Sequence, residues 1–478
     1  MLEGGVHFLE GGTMNWVVEE LLEADFGDTR LSDRVIQLVE KFSERPGVSV
    51  PEACGDKATT DAAYRFWKNE AVTVQKILEP HIQQTAQRAS EYPVVLVAQD
   101  TTEINLTSHR KTTGLGYLGS TECRGLMMHN LLAISPEGTP LGVLDEHFWV
   151  RPPKEMGKRK TRNRRPLSEK ESQRWLNGVT AAEAALPDHP HVVVVGDRES
   201  DLYDLFAMPR NSRTDLLVRI RDRRRRVEHP AKYLGKAMDE SPVRGETTIQ
   251  VPRADGRPAR QATVTLRWEQ LTLCCPANHL GEAPEEPVQL WFLLACEENP
   301  PAGQSPLDWL LGSTQPIHCL EDALRSLEWY LHRWRIEQFH YVLKSGCRIE
   351  RLQLETAESM KTAIAMFSIV AWRLLWLTYE ARRHPQASCT DVLDDQTWQV
   401  AYRASHPRRP LPSERPSLSE VTRWIAQLGG FLGRKHDGQP GVTTLWRGWR
   451  RLEDLLAGYR LAANVAPQPP PASNASCE

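Results

Sequence analysis

Three acidic residues, Asp100, Asp197 and Glu337, stand in settings where phosphodiester chemistry could be done. Asp100 closes YPVVLVAQD (92–100) and Asp197 closes HVVVVGD (191–197). Each preceding valine-rich run reads as a buried strand, and two such strands side by side would carry both carboxylates together. The third carboxylate lies in EWYLHRWRIEQFHYVLKSG (328–346). At about 100 degrees per residue, Tyr330, Arg333, Glu337, Tyr341 and Lys344 share one helical face. Trp329, His332, Ile336, Phe339 and Leu343 form a mostly apolar flank beside it. Three converging carboxylates would make an oxygen-rich site for Mg²⁺, with Mn²⁺ able to substitute. With two ions roughly 3.5–4 Å apart, one activates the attacking oxygen and the other stabilises the leaving one. Arg333 and Lys344 would hold phosphate. Spacing alone leaves a second reading open, in which Glu337 merely pairs with Arg333 across one turn and the aspartates are unrelated.

The surrounding pattern supplies elements able to position these groups. Between the aspartates, 127–138 and 139–150 read as neighbouring strands around a turn, followed by a basic loop and a helix near 169–186. After Asp197 come a short helix near 201–208 and strand-like runs at 245–251, 261–267 and 289–296, with APEEP (283–287) as a turn. WLLGS (309–313) precedes a long helical pattern at about 320–345, so 215–305 reads as an insertion in an α/β domain spanning 86–385. The apolar helix 356–381 is expected to be buried, because Lys361 and Arg373 interrupt it.

Residues 14–85 have helical spacing, and Arg30, Arg34, Lys57 and Arg65 there could dock DNA or simply decorate helix surfaces. Residues 386–465 form a second helical region, and 466–478 read as a disordered tail. The net charge of −3 conceals two basic islands. Residues 151–165, including Arg162, Arg164 and Arg165, hold eight Lys/Arg against one Glu, and 219–226 hold six Arg against one Asp. Such islands can follow a phosphate backbone or remain solvated loops. The nine cysteines include no CxxC pair, so a disulfide framework or structural zinc is not expected and a reducing cytoplasm fits. Neither a membrane span nor a secretory signal is supported. A dinucleotide glycine pattern and a GxxxxGK[ST] phosphate loop are also missing, which argues against the commonest small-molecule enzymes.

Tyr330, Arg333, Glu337 and Lys344 follow the form Y-x2-R-x3-E-x6-K, which resembles the signature of the insertion-sequence-four family of bacterial DDE transposases. More narrowly, AQDTTEINLTSH around Asp100, GDRESDLYDLF around Asp197 and HRWRIEQFHYVLKSG around Glu337 resemble the cut-and-paste transposases of the transposon Tn-five group. The likeness runs from near residue 16 through DAAYRFWKN (61–69) to CTDVLDDQTWQV (389–400) and LGGFLGRKHDG (428–438), leaving 4–12 outside and Met14 as a possible start. It implies an α/β fold with a ribonuclease-H-like catalytic core, a β-rich insertion, and helical N-terminal and C-terminal regions. The first helical region would bind end DNA and the second would dimerise. It further implies Asp100, Asp197 and Glu337 as catalytic metal ligands, and Tyr330, Arg333 and Lys344 as the supporting, phosphate-binding signature. Trp309 would stack a flipped base during a hairpin step, although it could equally be core. The implied partners are double-stranded DNA with terminal inverted repeats, target DNA and a second copy of the chain, at a bacterial nucleoid. Two alternatives keep most of these residues: a ribonuclease-H-like nuclease without strand transfer, and a catalytically silent DNA-binding protein derived from a transposase.

Overall fold

The computed structural model describes residues 15–119, 122–152, 165–251, 260–281 and 283–465. It opens with the helices α1 (Trp16–Leu21), α2 (Thr29–Glu44), α3 (Val50–Cys54), α4 (Lys57–Lys68) and α5 (Val74–Ala89). Asn15, Asp28, Ser49, Asp56 and Thr73 precede them, and each side chain accepts a backbone N–H of the first turn, satisfying a donor the helix cannot. A buried charge docks α1 on α5: Glu20 bonds to His81 and, at 2.8 Å, to Arg88. Burial works against the Glu20 carboxylate, yet His81 and Arg88 hold its pKa at about 2. His81 Nε2 in turn accepts the Val143 N–H at 2.9 Å, which ties this helical layer to the sheet.

The sheet is built from β1 (Val95–Asn105), β2 (Gly116–Tyr117), β3 (Arg124–Ile134), β4 (Pro140–Trp149), β5 (Val192–Gly196), β6 (Thr214–Arg219), β7 (Gly245–Val251), β8 (Arg260–Leu273), β9 (Val288–Cys296) and β10 (Asp308–Ser313). Their order is β2-β3-β1-β5-β6-β10-β9-β8-β7, with β4 also paired to β3. β1, β5 and β6 are parallel, and the remaining pairs are antiparallel. Both faces of the parallel strands are covered, which is why their sequences run as continuous valines. Val193 and Val195 join one core cluster, whereas Val192 and Val194 join the other. α6 (Gln173–Ala185), α7 (Tyr203–Ala207) and α8 (Leu234–Glu240) cover the second face. The first face is covered by α9 (Leu320–His332), α10 (Trp334–Tyr341) and α11 (Ala357–Arg383). This mixed sheet between helical regions is the α/β architecture expected of a ribonuclease-H-like core.

Three expectations are corrected. The strand expected to end at Asp100 continues to Asn105. Thr101, Thr102 and Ile104 are β-branched and stay paired with β3 as far as Asn105↔Gly125, whereas the parallel ladder to β5 ends at Ala98↔Val195. The stretch 215–305 begins within β6, a core strand parallel to β5, while β10 pairs with β6 and extends the same sheet outward through β9, β8 and β7. Finally, the helix expected over 320–345 is broken at Arg333 and ends in a π turn, Val342–Gly346. The Ile336 N–H bonds to the Arg333 carbonyl three residues back, tightening the chain locally.

α11 is long and apolar enough by length and composition to cross a membrane, and 83% of its most apolar window is buried within the protein. Lys361 pairs with Glu358, and the Arg373 guanidinium lies over the Trp16 and Trp376 rings, so both expected interruptions have partners. α12 (Asp395–Ser405), α13 (Leu418–Leu428) and α14 (Val442–Val465) follow. Leu377, Trp398, Val421, Ile425, Leu452 and Leu456 belong to the core they share with the end of α11. The eight cysteines among the described residues are free.

One buried group makes the fold pH-sensitive. Glu146 on β4 stands opposite Asn130 and accepts the Ser368 hydroxyl at 3.1 Å, and burial pushes its pKa from 4.5 up to about 8. The native state therefore holds this proton more tightly than the unfolded chain, and the associated stability is lost as pH rises from 4.5 through about 8. Glu146→Gln should flatten that part of the stability profile and stabilise the protein at pH 8, by on the order of a few kcal/mol. Thermal melts at pH 5 and pH 8 check this; an unchanged difference between the two pH values would contradict it.

Candidate active site

The pairing between β1 and β5 aligns the two aspartates. Partners run from Val95↔Val192 to Ala98↔Val195, so Asp100 and Asp197 each lie two residues past the last pair. Alternation puts Asp100 on the face of Leu96 and Ala98, and Asp197 on the face of Val193 and Val195, which α9–α11 cover. Asp100 Oδ1 accepts the Thr101 N–H at 2.8 Å. Asp197 caps the 3-10 turn Arg198–Ser200, its Oδ1 accepting the Glu199 N–H at 2.8 Å. A Cβ at Gly196 would strike the Ser200 hydroxyl, which bonds back to the Asp197 carbonyl at 2.7 Å. Glycine there allows the chain to turn tightly into the carboxylate.

Glu337 comes to this pair from α10, with Arg333 as the link. The Arg333 guanidinium lies 2.5 Å from Glu337 Oε1 and 3.9 Å from Asp100 Oδ2. Burial opposes its charge, but Tyr330, Glu337 and Asp100 together hold its pKa above the ordinary value. Asp100 shows the opposite balance: burial pushes its pKa up to about 7, Arg333 opposes this, and the charges of Asp197 and Glu337 add to the rise. That mutual effect places the three carboxylates in one electrostatic neighbourhood. Among the described residues, no three His, Cys, Asp or Glu side chains stand close enough together to hold a metal ion as they are oriented. Glu337 is instead engaged by Arg333.

The other signature residues spread away from this centre. Tyr330 is buried, and its ring lies 6.0 Å from the Arg333 guanidinium carbon. Trp309 on β10 is half-buried and meets Tyr330 edge to face at 5.8 Å, while the Arg219 guanidinium lies 5.6 Å from the indole centre. A row of two rings between two cations thus leads from Arg219 to Asp100. Lys344 sits in the π turn, where burial lowers its pKa and the carboxylates supporting its charge are Glu350 and Glu103. The break at Arg333 divides the expected single face: Tyr330 turns inward, whereas Tyr341 is exposed and packs near Trp446.

Of the residues expected to touch DNA, Arg30, Lys57 and Arg65 are exposed, with Arg30 bonded to Asp28. Arg34 is half-buried and bonds to Gln37 at 2.6 Å. Arg162 and Arg164 lie outside the described residues, and Arg165 is half-buried. The second basic island is split by function: Arg223 pairs with Asp308 and Asp239, and Arg225 with Asp201, while Arg221, Arg224 and Arg226 are exposed. Two arginines that reach the site were not singled out individually by the sequence reading. Arg219 was read as part of an island, and nothing in SEKESQRW signals that Arg174 reaches β1.

A parallel β1–β5–β6 core with acidic residues where its ladder ends, set between helical regions, defines a ribonuclease-H-like α/β protein. Residues 13–72 match the family described as Transposase DNA-binding, and residues 369–467 match the Transposase Tn5 dimerisation domain. The chain therefore carries the DNA-binding and dimerisation domains of insertion-sequence-four and Tn5-type transposases. The first match covers α1–α4, and the second covers the later part of α11 through α14.

Proposed function

We propose that this chain is a DNA transposase that cuts transposon ends and joins them to target DNA at Asp100, Asp197 and Glu337. The observation that carries the reading is that Asp100 and Asp197 stand just past the last pair of the β1–β5 ladder, close enough for their charges to interact, with Glu337 linked to Asp100 through Arg333. It gains weight from the two transposase domains that flank the sheet. Three carboxylates are a donor set suited to Mg²⁺ or Mn²⁺, and Asp100, crowded by Asp197 and Glu337, would gain from a neighbouring cation. Ions bound there would lower the pKa of the attacking oxygen and stabilise the leaving one.

The chain's own residues account for the rest of the reaction. Asp100, within β1, and Asp197, just past the end of β5, present their oxygens where the β1–β5 ladder stops, and Glu337 completes the set by turning from Arg333. Freed from that pair, Arg333 can hold a phosphate bidentately, with Lys344 as a second cation further along the strand. In the sequence we propose, water attacks the end phosphodiester and releases a 3'-hydroxyl. That hydroxyl attacks a phosphodiester of the opposite strand to form a hairpin, expelling the 3'-hydroxyl of the flanking DNA; water then opens the hairpin to a 3'-hydroxyl and a 5'-phosphate, and the restored 3'-hydroxyl attacks target DNA, expelling a target 3'-hydroxyl. Two copies acting on two ends, in a bacterial cytoplasm beside the nucleoid, would complete the process.

The Arg333–Glu337 pair also favours a second reading, a DNA-binding protein that no longer cuts. Incubating the protein and Mg²⁺ with DNA from the inverted repeats flanking its gene separates the two. The proposed enzyme gives nicked and hairpin products, whereas binding without Mg²⁺-dependent cutting supports the silent protein.

Trp309 provides a finer test. Its half-buried indole, edge-on to Tyr330, leaves aromatic surface that could stack a base removed from a sharply bent duplex. Such stacking contributes roughly 1–3 kcal/mol. Trp309→Ala should spare the first nick and slow hairpin formation, by about tenfold or more, and an abasic substrate should respond less. Equal losses at both steps together with a lower melting temperature would instead make Trp309 a core residue.

A further inference from the structure

Arg174 lies in the first turn of α6, on the side of the sheet opposite Glu337. Its Nε donates to Thr101 Oγ1 at 2.7 Å, Nη2 donates to Glu199 Oε2 at 2.7 Å, and Nη1 donates to the Glu171 carbonyl at 2.8 Å. Thr101 Oγ1 is also bonded to His129 Nδ1 at 2.9 Å. The guanidinium sits 5.0 Å from the Trp175 ring centre and 5.7 Å from that of Trp149, and its side chain is 10% exposed. The side chain is thus held in three ways: by bonds to two other elements, by a backbone anchor beside its own helix, and by aromatic walls.

The two far partners are the neighbours of the two aspartates. Thr101 follows Asp100 and gives it a backbone hydrogen bond, while Glu199 gives its N–H to Asp197. The parallel ladder between β1 and β5 ends at Ala98↔Val195, two residues short of both carboxylates. Backbone pairing between these strands therefore does not fix the distance between Asp100 and Asp197. Arg174 spans the gap where that pairing stops, and a planar fork of donors can hold two acceptors at a set separation as a single ammonium cannot.

We infer that Arg174 is a positioning residue that ties the Asp100 strand to the Asp197 turn and so sets the spacing of the two aspartates. The inference deepens the reading proposed above and, in its consequence for metal binding, rests on it. Freed from the tie, the segment 197–202 should move relative to β1. Outer-shell supports of this kind typically change metal affinity by about 10- to 100-fold.

The test uses the full-length protein with Arg174→Gln, Arg174→Lys and, to release one arm without disturbing the α6 packing, Glu199→Ala, which removes the acceptor. Two readouts are taken: hydrogen exchange of the 197–202 and 101–103 amides, and Mn²⁺ binding followed by electron paramagnetic resonance. Arg174→Gln and Arg174→Lys should both exchange faster, by about tenfold in these segments with little change elsewhere, and bind Mn²⁺ about tenfold more weakly. Glu199→Ala should show the same pattern in 197–202. Wild-type exchange in all three variants would overturn the inference, as would full rescue by lysine, which would make charge alone sufficient. Should Arg174→Gln fail to fold, Glu199→Ala and Arg174→Lys decide the matter by the same criteria. A wild-type protein that binds no Mn²⁺ overturns the metal reading instead, and the exchange data still decide the tie.

Discussion

Asp100→Ala, Asp197→Ala and Glu337→Ala are each expected to reduce DNA cleavage and strand joining by on the order of 10³-fold or more, while end-DNA binding changes by less than about threefold. The asymmetry follows from the proposed reaction, in which the carboxylates serve the reacting phosphate while binding draws on a broader field of cations and backbone donors. For Asp100 a loss of folding can be told apart from a loss of chemistry. Its carboxyl has been pushed from 3.8 up to about 7, so the native state holds its proton more tightly than the unfolded chain. The associated stability is lost as pH rises from 3.8 through about 7, and at pH 8 removing the carboxylate should not lower the melting temperature. Gel-resolved cleavage of end DNA at saturating Mg²⁺, paired with melting curves, checks both parts. Near-wild-type cutting by any of the three variants would remove that residue from the site.

Replacing Arg333 should have an effect nearly as large. Arg333→Ala leaves Glu337 without its 2.5 Å partner and Asp100 without the cation that opposes its raised pKa. Cleavage should fall by about 10²-fold or more, since this side chain is proposed to hold phosphate once Glu337 has turned from it. Stability should fall by about 2 kcal/mol, a value discounted from fully buried pairs because Glu337 is one-third exposed. The loss should be greater at pH 8 than at pH 5, where protonated Asp100 needs no counterion. Arg333→Lys should recover part of the stability and little of the activity, because one ammonium cannot grip a phosphate bidentately. Cleavage rates and melts of the two variants at both pH values measure this, and equal activity of alanine, lysine and wild-type proteins would contradict it.

What the sequence showed most clearly was local. Valine runs ending in Asp100 and Asp197, and the apolar flank of Trp329, Ile336, Phe339 and Leu343, follow from periodicity and burial, and the structure retains them. Strands β7, β9 and β10 fall close to the runs that signalled them. Less legible were features set by partners distant in the chain. The extension of β1 beyond Asp100 depends on β3, and the sheet's growth beyond β6 depends on β10. The break at Arg333 could not be read from a pattern that remains helical on both sides. For the same reason Arg174 escaped notice: its partners, Thr101 and Glu199, are 73 and 25 residues away. The site residues themselves were visible chiefly as words of a family signature, and the register from Ala98↔Val195 supplies the geometric reason for two of them to act together.

Strand joining by a pre-cut end is the most direct measurement of the proposed activity. A duplex carrying the terminal repeat and an exposed 3'-hydroxyl bypasses nicking and hairpin formation, so the outcome depends on the transfer chemistry itself. With wild-type protein, Mg²⁺ and a supercoiled plasmid, the labelled end should become covalently linked to plasmid DNA. Linkage should disappear with EDTA, with a 3'-deoxy end, and with Glu337→Ala. Hydrolysis of the DNA without any linked product, or linkage that survives Glu337→Ala, would contradict a transposase acting through Asp100, Asp197 and Glu337.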